Sequence, residues 1–81
     1  MAPPPFPEDL LQAQLEWIRT YEALAARAGD AAVLRRRLLR LSEAIARHPF
    51  LAAGPARSPA VRVELRRAAR AHARRSETAT S

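Results

Sequence analysis

The stretch "EALAARAGDAAVLRRRLLRL", residues 22–41, decides the fold because it contains a helix end directly followed by a helix start. Gly29 suits the left-handed backbone conformation that commonly ends a helix. Asp30 is a preferred N-cap residue, since its carboxylate accepts hydrogen bonds from the first free amides of the next helix. Two long helices joined by so short a turn fold back on each other, which predicts an antiparallel helical hairpin.

The residues after this turn predict an amphipathic second helix over about residues 31–48, which Pro49 ends. Apolar side chains recur there at steps of three and four, as they do along one face of a helix. This stripe consists of Ala31, Leu34, Leu38, Leu41, Ile45 and His48. Arg36, Arg40 and Arg47 lie opposite it. The arginine-rich run is therefore explained first as a solvent-exposed helix face, although a nucleic-acid contact stays possible.

The residues before the turn predict a first helix over about residues 8–28, because Pro7 and the acids Glu8 and Asp9 favour a helix start. Its apolar residues cover about half of the helix circumference, a wider arc than one neighbouring helix needs. We therefore expect this arc to contact the second helix and also a third helix or a second copy of the chain. The candidate interface residues on it are Leu11, Leu15, Trp17, Tyr21 and Leu24.

The whole chain predicts an all-α protein, a small bundle made of the hairpin and a basic third helix. The segments are a flexible proline-rich lead over 1–7, the hairpin over 8–51, a linker over 52–58, a helix over 59–75 and a disordered tail over 76–81. We expect the hairpin seam to contain Leu10, Ile18, Leu24, Leu34, Leu38, Leu41 and Ile45. The third helix has a small apolar stripe of Val61, Leu65, Ala68 and His72, which predicts poor cover for the first helix.

Charge is unevenly distributed along the chain, which has fourteen arginines, no lysine and a formal net charge of +6. The net charge is −3 over residues 1–30, +5 over 31–57 and +4 over 58–81. An acidic first helix beside a basic second one predicts ion pairs across the hairpin, for example from Glu22 to Arg36 or Arg37. The third helix has no such partner. Its arginines at steps of three and four predict a ridge that tracks phosphates: Arg62, Arg66, Arg67, Arg70 and Arg74.

Residue types that carry chemistry are sparse. Cysteine is absent, and His48 and His72 fall on different helices, so we expect no metal site and no other cofactor. Ser42 and Ser58 have no general base at a suitable spacing, and no glycine-rich phosphate loop is present. The sequence therefore predicts a protein without catalytic activity or a small-molecule substrate. No apolar run approaches the roughly 20 residues that span a bilayer, so we expect a cytoplasmic protein.

Two functions fit this pattern. The first is a helical interaction or adaptor module, a homodimer or the partner of another protein, that self-associates through the apolar arc of the first helix. Two hairpins would then close that arc as a four-helix bundle. The alternative is an accessory protein that binds nucleic acid without sequence specificity through the arginine ridge of the third helix. Asn and Gln, which often read base edges, are missing from that helix.

The runs "DLLQAQLEWIRTYEALA" and "LRRRLLRLSEAIARHPF" resemble short helical proteins from high-GC actinobacteria and their mobile elements. The resemblance covers about residues 6–51 and leaves out the third helix. It implies no activity, cofactor or site residue, and is consistent with an accessory role in plasmid or integrated-element biology. A GC-rich genome also favours arginine over lysine, so arginine abundance alone does not indicate function.

Overall fold

The protein is all-α, as the sequence predicts, and a computed structural model describes residues 6–52 and 59–80, with side chains as far as residue 78. Within these residues four helices follow one another: α1 (Glu8–Ala25), α2 (Ala31–Arg47), the short α3 (Pro49–Ala52) and α4 (Pro59–Thr80). The described residues include no strand. The third helix of the sequence analysis corresponds to α4.

The turn between α1 and α2 confirms the predicted cap and corrects the predicted helix end. The Asp30 carboxylate accepts hydrogen bonds from the amides of Ala32 and Val33, at 2.9 and 3.2 Å. The left-handed residue that ends α1 is Arg27, with φ 56°, whereas Gly29 lies further on with φ 135°. Hydrogen bonds from the amides of Ala28 and Arg27 back to the carbonyls of residues 23 and 24 complete a Schellman motif. Gly29 therefore shapes the turn rather than the helix end.

Helix α1 lies between α2 and α4, and this corrects the expectation that the third helix covers it poorly. Leu65 packs with Leu10 near the start of α1, and Ala69 packs with Ile18 further along, so α1 and α4 run in the same direction. Both Leu65 and Ala69 are fully buried, at 0% exposure. Ala69 is buried in the smaller core cluster, and Ala68 and Ala73 are partly buried against the two clusters, so α4 covers α1 with small side chains. No Cα atom of α2 lies within 8 Å of one of α4 in the described residues.

The core is concentrated at the end of the bundle where α1 and α4 begin. Its larger cluster draws on every helix and consists of Phe6, Leu10, Leu11, Ile45, Leu51 and Leu65, while a smaller cluster consists of Leu15, Ile18 and Ala69. Phe6 is only 7% exposed, so this residue of the predicted flexible lead is packed into the core instead. Its ring meets that of Phe50 edge to face, with 5.4 Å between the centroids. The burial of this large aromatic side chain is not evident from the proline-rich sequence around it.

The predicted hairpin seam is present, but its residues differ in depth. Leu10, Ile18 and Ile45 are buried. The other four predicted members are half-buried: Leu24, Leu34, Leu38 and Leu41. Helix α2 packs along its length against α1 alone, so water reaches the edges of its apolar stripe.

The helix boundaries differ from the predicted ones at three places. Helix α1 ends at Ala25 rather than residue 28, and α2 ends at Arg47, with His48 as its C-cap. Helix α4 continues to Thr80, where the sequence analysis ends it at residue 75 and predicts a disordered tail. The Thr78 hydroxyl donates to the Arg74 carbonyl at 2.9 Å, so the polar side chains of this segment are accommodated on the helix. Residues 1–5 of the predicted lead, 53–58 of the predicted linker and Ser81 lie outside the described residues.

Candidate nucleic-acid interface

The face of α4 that points away from the core is rich in arginine. Leu65 and Ala69 fix the rotation of the helix about its axis by burying the side of α4 that faces α1. All five arginines of the predicted ridge are exposed: Arg62, Arg66, Arg67, Arg70 and Arg74. None of them forms an ion pair with an acid in the described part of the chain. We call these five residues the arginine face.

Part of the arginine face surrounds a shallow depression of about 170 Å³. Arg66, Arg67 and Arg70 line it together with Val63, which is 43% exposed. Three guanidinium groups around one hollow present many N–H donors and no acceptor, which suits the oxygens of a phosphate group. The depression is therefore a favourable place for a phosphate on the protein surface.

A second hollow opens where α2 and α4 stand apart above α1. This cleft has a volume of about 220 Å³ and draws residues from all three helices: Gln14, Trp17, Ser42, Ile45, Arg62 and Arg66. Arg66 lines both hollows, so the cleft is continuous with the arginine face. The apolar and polar side chains inside the cleft thus lie next to the cationic side chains of the arginine face.

An aromatic pair lies on α1 beside this cleft. The rings of Trp17 and Tyr21 are stacked, with 5.3 Å between centroids and 7° between planes, because residues four apart share a helix face. The Trp17 indole N–H donates to the Ser42 hydroxyl oxygen at 2.9 Å, which ties α1 to α2. Tyr21 is 54% exposed and Trp17 is half-buried. Of the predicted interface residues, these two present aromatic surface to solvent.

The other predicted interface residues are less available. Leu11 and Leu15, at 1% and 7% exposure, lie inside the core, so neither offers surface to a partner. They are covered because α4 packs on that side of α1, whereas the sequence pattern favoured a second copy of the chain as the better cover. Leu24 is half-buried near the end of α1.

The ion pair across the hairpin involves a different acid from the predicted one. Arg37 approaches Glu16, with 3.8 Å between nitrogen and oxygen, whereas the sequence analysis paired Arg36 or Arg37 with Glu22. Glu16 and Arg37 fall at the same level of the antiparallel hairpin, and both side chains are about half exposed. An exposed pair of this kind contributes about 0–1 kcal/mol to stability.

His48 closes the other end of the hairpin. The Phe50 amide donates to Nδ1 at 3.1 Å, so Nδ1 carries no proton and Nε2 donates to the Asp9 carboxylate at 3.0 Å. This hydrogen bond holds the pKa of Asp9 below its ordinary value. His48 is thus a structural link between the start of α1 and the end of α2. The described residues contain no group of three or more metal-ligating side chains.

Gln14 is a cleft residue to which the sequence pattern gave no role. Its side chain is buried, at 7% exposure, and it lines the cleft. The signal for it is present in the sequence, since Gln14 lies three or four residues from Leu10, Leu11, Trp17 and Ile18. A polar residue at this spacing lies on the apolar face of the helix, where packing alone would favour an apolar residue.

Comparison with known proteins assigns the chain to a family. Residues 9–68 match the domain of unknown function DUF8825, and the chain belongs to that family. The match spans α1, α2, α3 and the first part of α4. Neither curated proteins nor solved structures gave a match. The match does not bear on the actinobacterial resemblance, which stays a prediction. In the described residues, no helix combines the length and the apolar character that crossing a membrane requires.

Proposed function

We propose that this DUF8825 protein is a non-catalytic module that binds nucleic acid through the arginine face of α4. The observation that supports this proposal best is a row of five exposed arginines without an acidic partner in the described residues, on a helix that is held in place by the fully buried Leu65 and Ala69. On α2, by contrast, Arg37 approaches the acid Glu16. Unpaired arginines at helical spacing present guanidinium groups to a series of phosphates instead.

The rigid seating of α4 makes this surface effective. Leu65 and Ala69 prevent the helix from turning about its axis, so the arginine side chains stay on one side of the molecule. Contacts of arginine with phosphate fix the position of a protein on nucleic acid but carry no sequence information. We therefore expect binding that depends strongly on salt and weakly on sequence. As part of this proposal, the protein works in the cytoplasm, where nucleic acid is accessible.

The test is the affinity of the purified protein for a fluorescent single-stranded 20-mer, measured by anisotropy at several salt concentrations. The double variant R66A/R70A removes two charges from the arginine face. The matched control R36A/R40A removes two exposed arginines from α2. We expect R66A/R70A to bind more weakly and to lower the slope of log K against log salt by about 1.4, at ~0.7 for each phosphate that is no longer neutralised. Equal weakening in both variants would contradict the proposal.

Self-association is a second candidate, and the exposed aromatic pair on α1 favours it. Trp17 and Tyr21 belong to residue types that dominate protein interfaces, and Tyr21 is 54% exposed. Light scattering after nuclease treatment tests this candidate at low and high salt. A species of twice the 9.0 kDa chain mass at both salts, reduced to 9.0 kDa by Y21A, would support it. A 9.0 kDa species for the wild type at both salts would rule it out.

A further inference from the structure

The side chain of Gln14 is more than nine-tenths buried and has no hydrogen-bond partner in the described residues. A carboxamide offers two N–H donors and one acceptor oxygen. Burying such a group without hydrogen bonds costs free energy. Its amide atoms keep some contact with the cleft, since no side-chain polar atom of the described residues is both fully enclosed and unpaired. Gln14 is therefore a buried polar group whose partner would enter from the cleft.

The surroundings of Gln14 indicate what that partner is. Ser42 accepts the Trp17 indole N–H, which leaves its own hydroxyl hydrogen free to be donated. Trp17 and Ile45 supply apolar and aromatic surface, while Arg62 and Arg66 stand on the α4 side. A ligand that fits has a flat apolar body, polar edges with donors and acceptors, and an attached anionic group. A free phosphate would satisfy the arginines and leave the rest of the cleft empty.

We propose that the cleft binds one unpaired nucleotide, with its base beside Gln14, Ser42 and Trp17 and its phosphate at Arg62 and Arg66. This inference rests on the proposed nucleic-acid function and names the form of nucleic acid that is preferred. A cleft of about 220 Å³ has room for a single base and not for a base pair within a duplex. A second copy of this chain fits less well, because a symmetric contact at this face would bring the arginines of two protomers together.

A cleft that binds a nucleotide and electrostatic attraction alone predict opposite preferences between single-stranded and duplex DNA. Duplex DNA carries about twice the charge per unit length of a single strand, so an arginine face without the cleft favours the duplex. A cleft that holds an unpaired base favours the single strand. Anisotropy titrations with a single-stranded 20-mer and the matching duplex, at one salt concentration, compare the two forms. We expect the wild type to bind the single strand about tenfold more tightly.

The variant Q14L tests whether the cleft causes this preference. Leucine keeps the volume of the side chain and removes the amide, and thermal unfolding checks that the variant folds. The matched control is Q12L, which changes an exposed glutamine two positions away. We expect Q14L to weaken single-strand binding by about fivefold to tenfold, the effect of losing about one hydrogen bond, and to leave duplex binding unchanged. We expect Q12L to behave as the wild type does.

A nuclear magnetic resonance titration gives a second readout without any substitution. The chain has two glutamines and no asparagine, so its spectrum shows side-chain amide pairs from Gln12 and Gln14 alone. We expect the single strand to shift the Gln14 pair and leave the Gln12 pair in place. Equal affinity for both DNA forms with an unmoved Gln14 pair would overturn the cleft and leave the arginine face standing. Absence of binding to either form would overturn both proposals.

Discussion

The two sides of α1 are built differently. Toward α4 the contact is apolar, with Leu65 and Ala69 at 0% exposure. Toward α2 the leucines Leu34, Leu38 and Leu41 are half-buried, and polar contacts add to the packing. Those contacts join Trp17 to Ser42, Asp9 to His48 and Glu16 to Arg37.

This difference shows that the regularity of an apolar stripe does not measure how deeply it is buried. Helix α2 has the clearest stripe in the sequence, yet Ile45 is its one buried residue. Helix α4 has a weak stripe of small residues, and it contributes Leu65 and Ala69, which are fully buried. Leu65 and Ala69 lie within the two core clusters, where water is excluded, whereas Leu34, Leu38 and Leu41 keep part of their surface accessible to water. The helix that looks peripheral in the sequence is thus integral to the core.

Truncation of Leu65 should have the largest effect on stability. We expect L65A to lower the free energy of unfolding by about 3 kcal/mol, because it leaves a cavity in the fully buried contact of α1 with α4. L38A, on the half-buried side, is the matched control and should cost about 1 kcal/mol. Urea denaturation followed by circular dichroism measures both. Equal destabilisation by L65A and L38A would show that α4 is no more important to the fold than α2.

The polar link between α1 and α2 has an intermediate effect. We expect S42A to cost about 1 kcal/mol, because it removes the acceptor of the Trp17 indole N–H. In a W17F background the indole N–H is already gone, so S42A should then cost less. Urea denaturation of the four proteins gives the coupling energy between the two positions. A coupling energy of zero would mean that this hydrogen bond does not stabilise the hairpin.

A substitution in the turn between α1 and α2 should have a smaller effect, and it should stabilise the protein. Arg27 has φ 56°, a conformation that costs a residue with a Cβ atom free energy and glycine almost none. We expect R27G to stabilise the protein by about 0.5–1 kcal/mol in thermal unfolding. The control R19G, in the interior of α1, should destabilise it by about 1 kcal/mol, since glycine weakens a regular helix. Destabilisation by R27G would contradict the assigned Schellman motif.

The smallest effect concerns pH at the His48 end of the hairpin. The pKa of Asp9 is lowered in the folded protein, mainly by its hydrogen bond with His48, so the ionised form contributes stability. That contribution is present above the unfolded pKa of about 3.9 and is lost as pH falls through the lower folded value. We therefore expect wild type and D9N to differ in thermal stability at pH 6 and to converge toward pH 3. A difference that is independent of pH would assign the effect of D9N to something other than this carboxylate.

Much of the fold follows from local signals in the sequence. The Asp30 cap, the hairpin, the start of α4 at Pro59 and the burial of Leu10, Ile18 and Ile45 are all predictable from helix periodicity and end signals. The burial of Phe6 and the packing of α4 on α1 are not predictable in this way. Burial depends on which distant residues approach, and no local pattern encodes that. The arginine face could be identified from spacing, since exposed residues keep their helical order. The cleft could not, because it exists only where α2 and α4 stand apart above Gln14.

The most direct test of the proposed nucleic-acid surface is a map of the backbone amides whose resonances shift when a single-stranded 20-mer binds. The two basic helices provide an internal comparison, since both α2 and α4 carry exposed arginines. We expect the shifts to concentrate on residues 62–74 of α4 and on the cleft, with residues 35–40 of α2 little changed. Shifts that are strongest on α2, or that are equal on both helices, would contradict a binding surface built on α4.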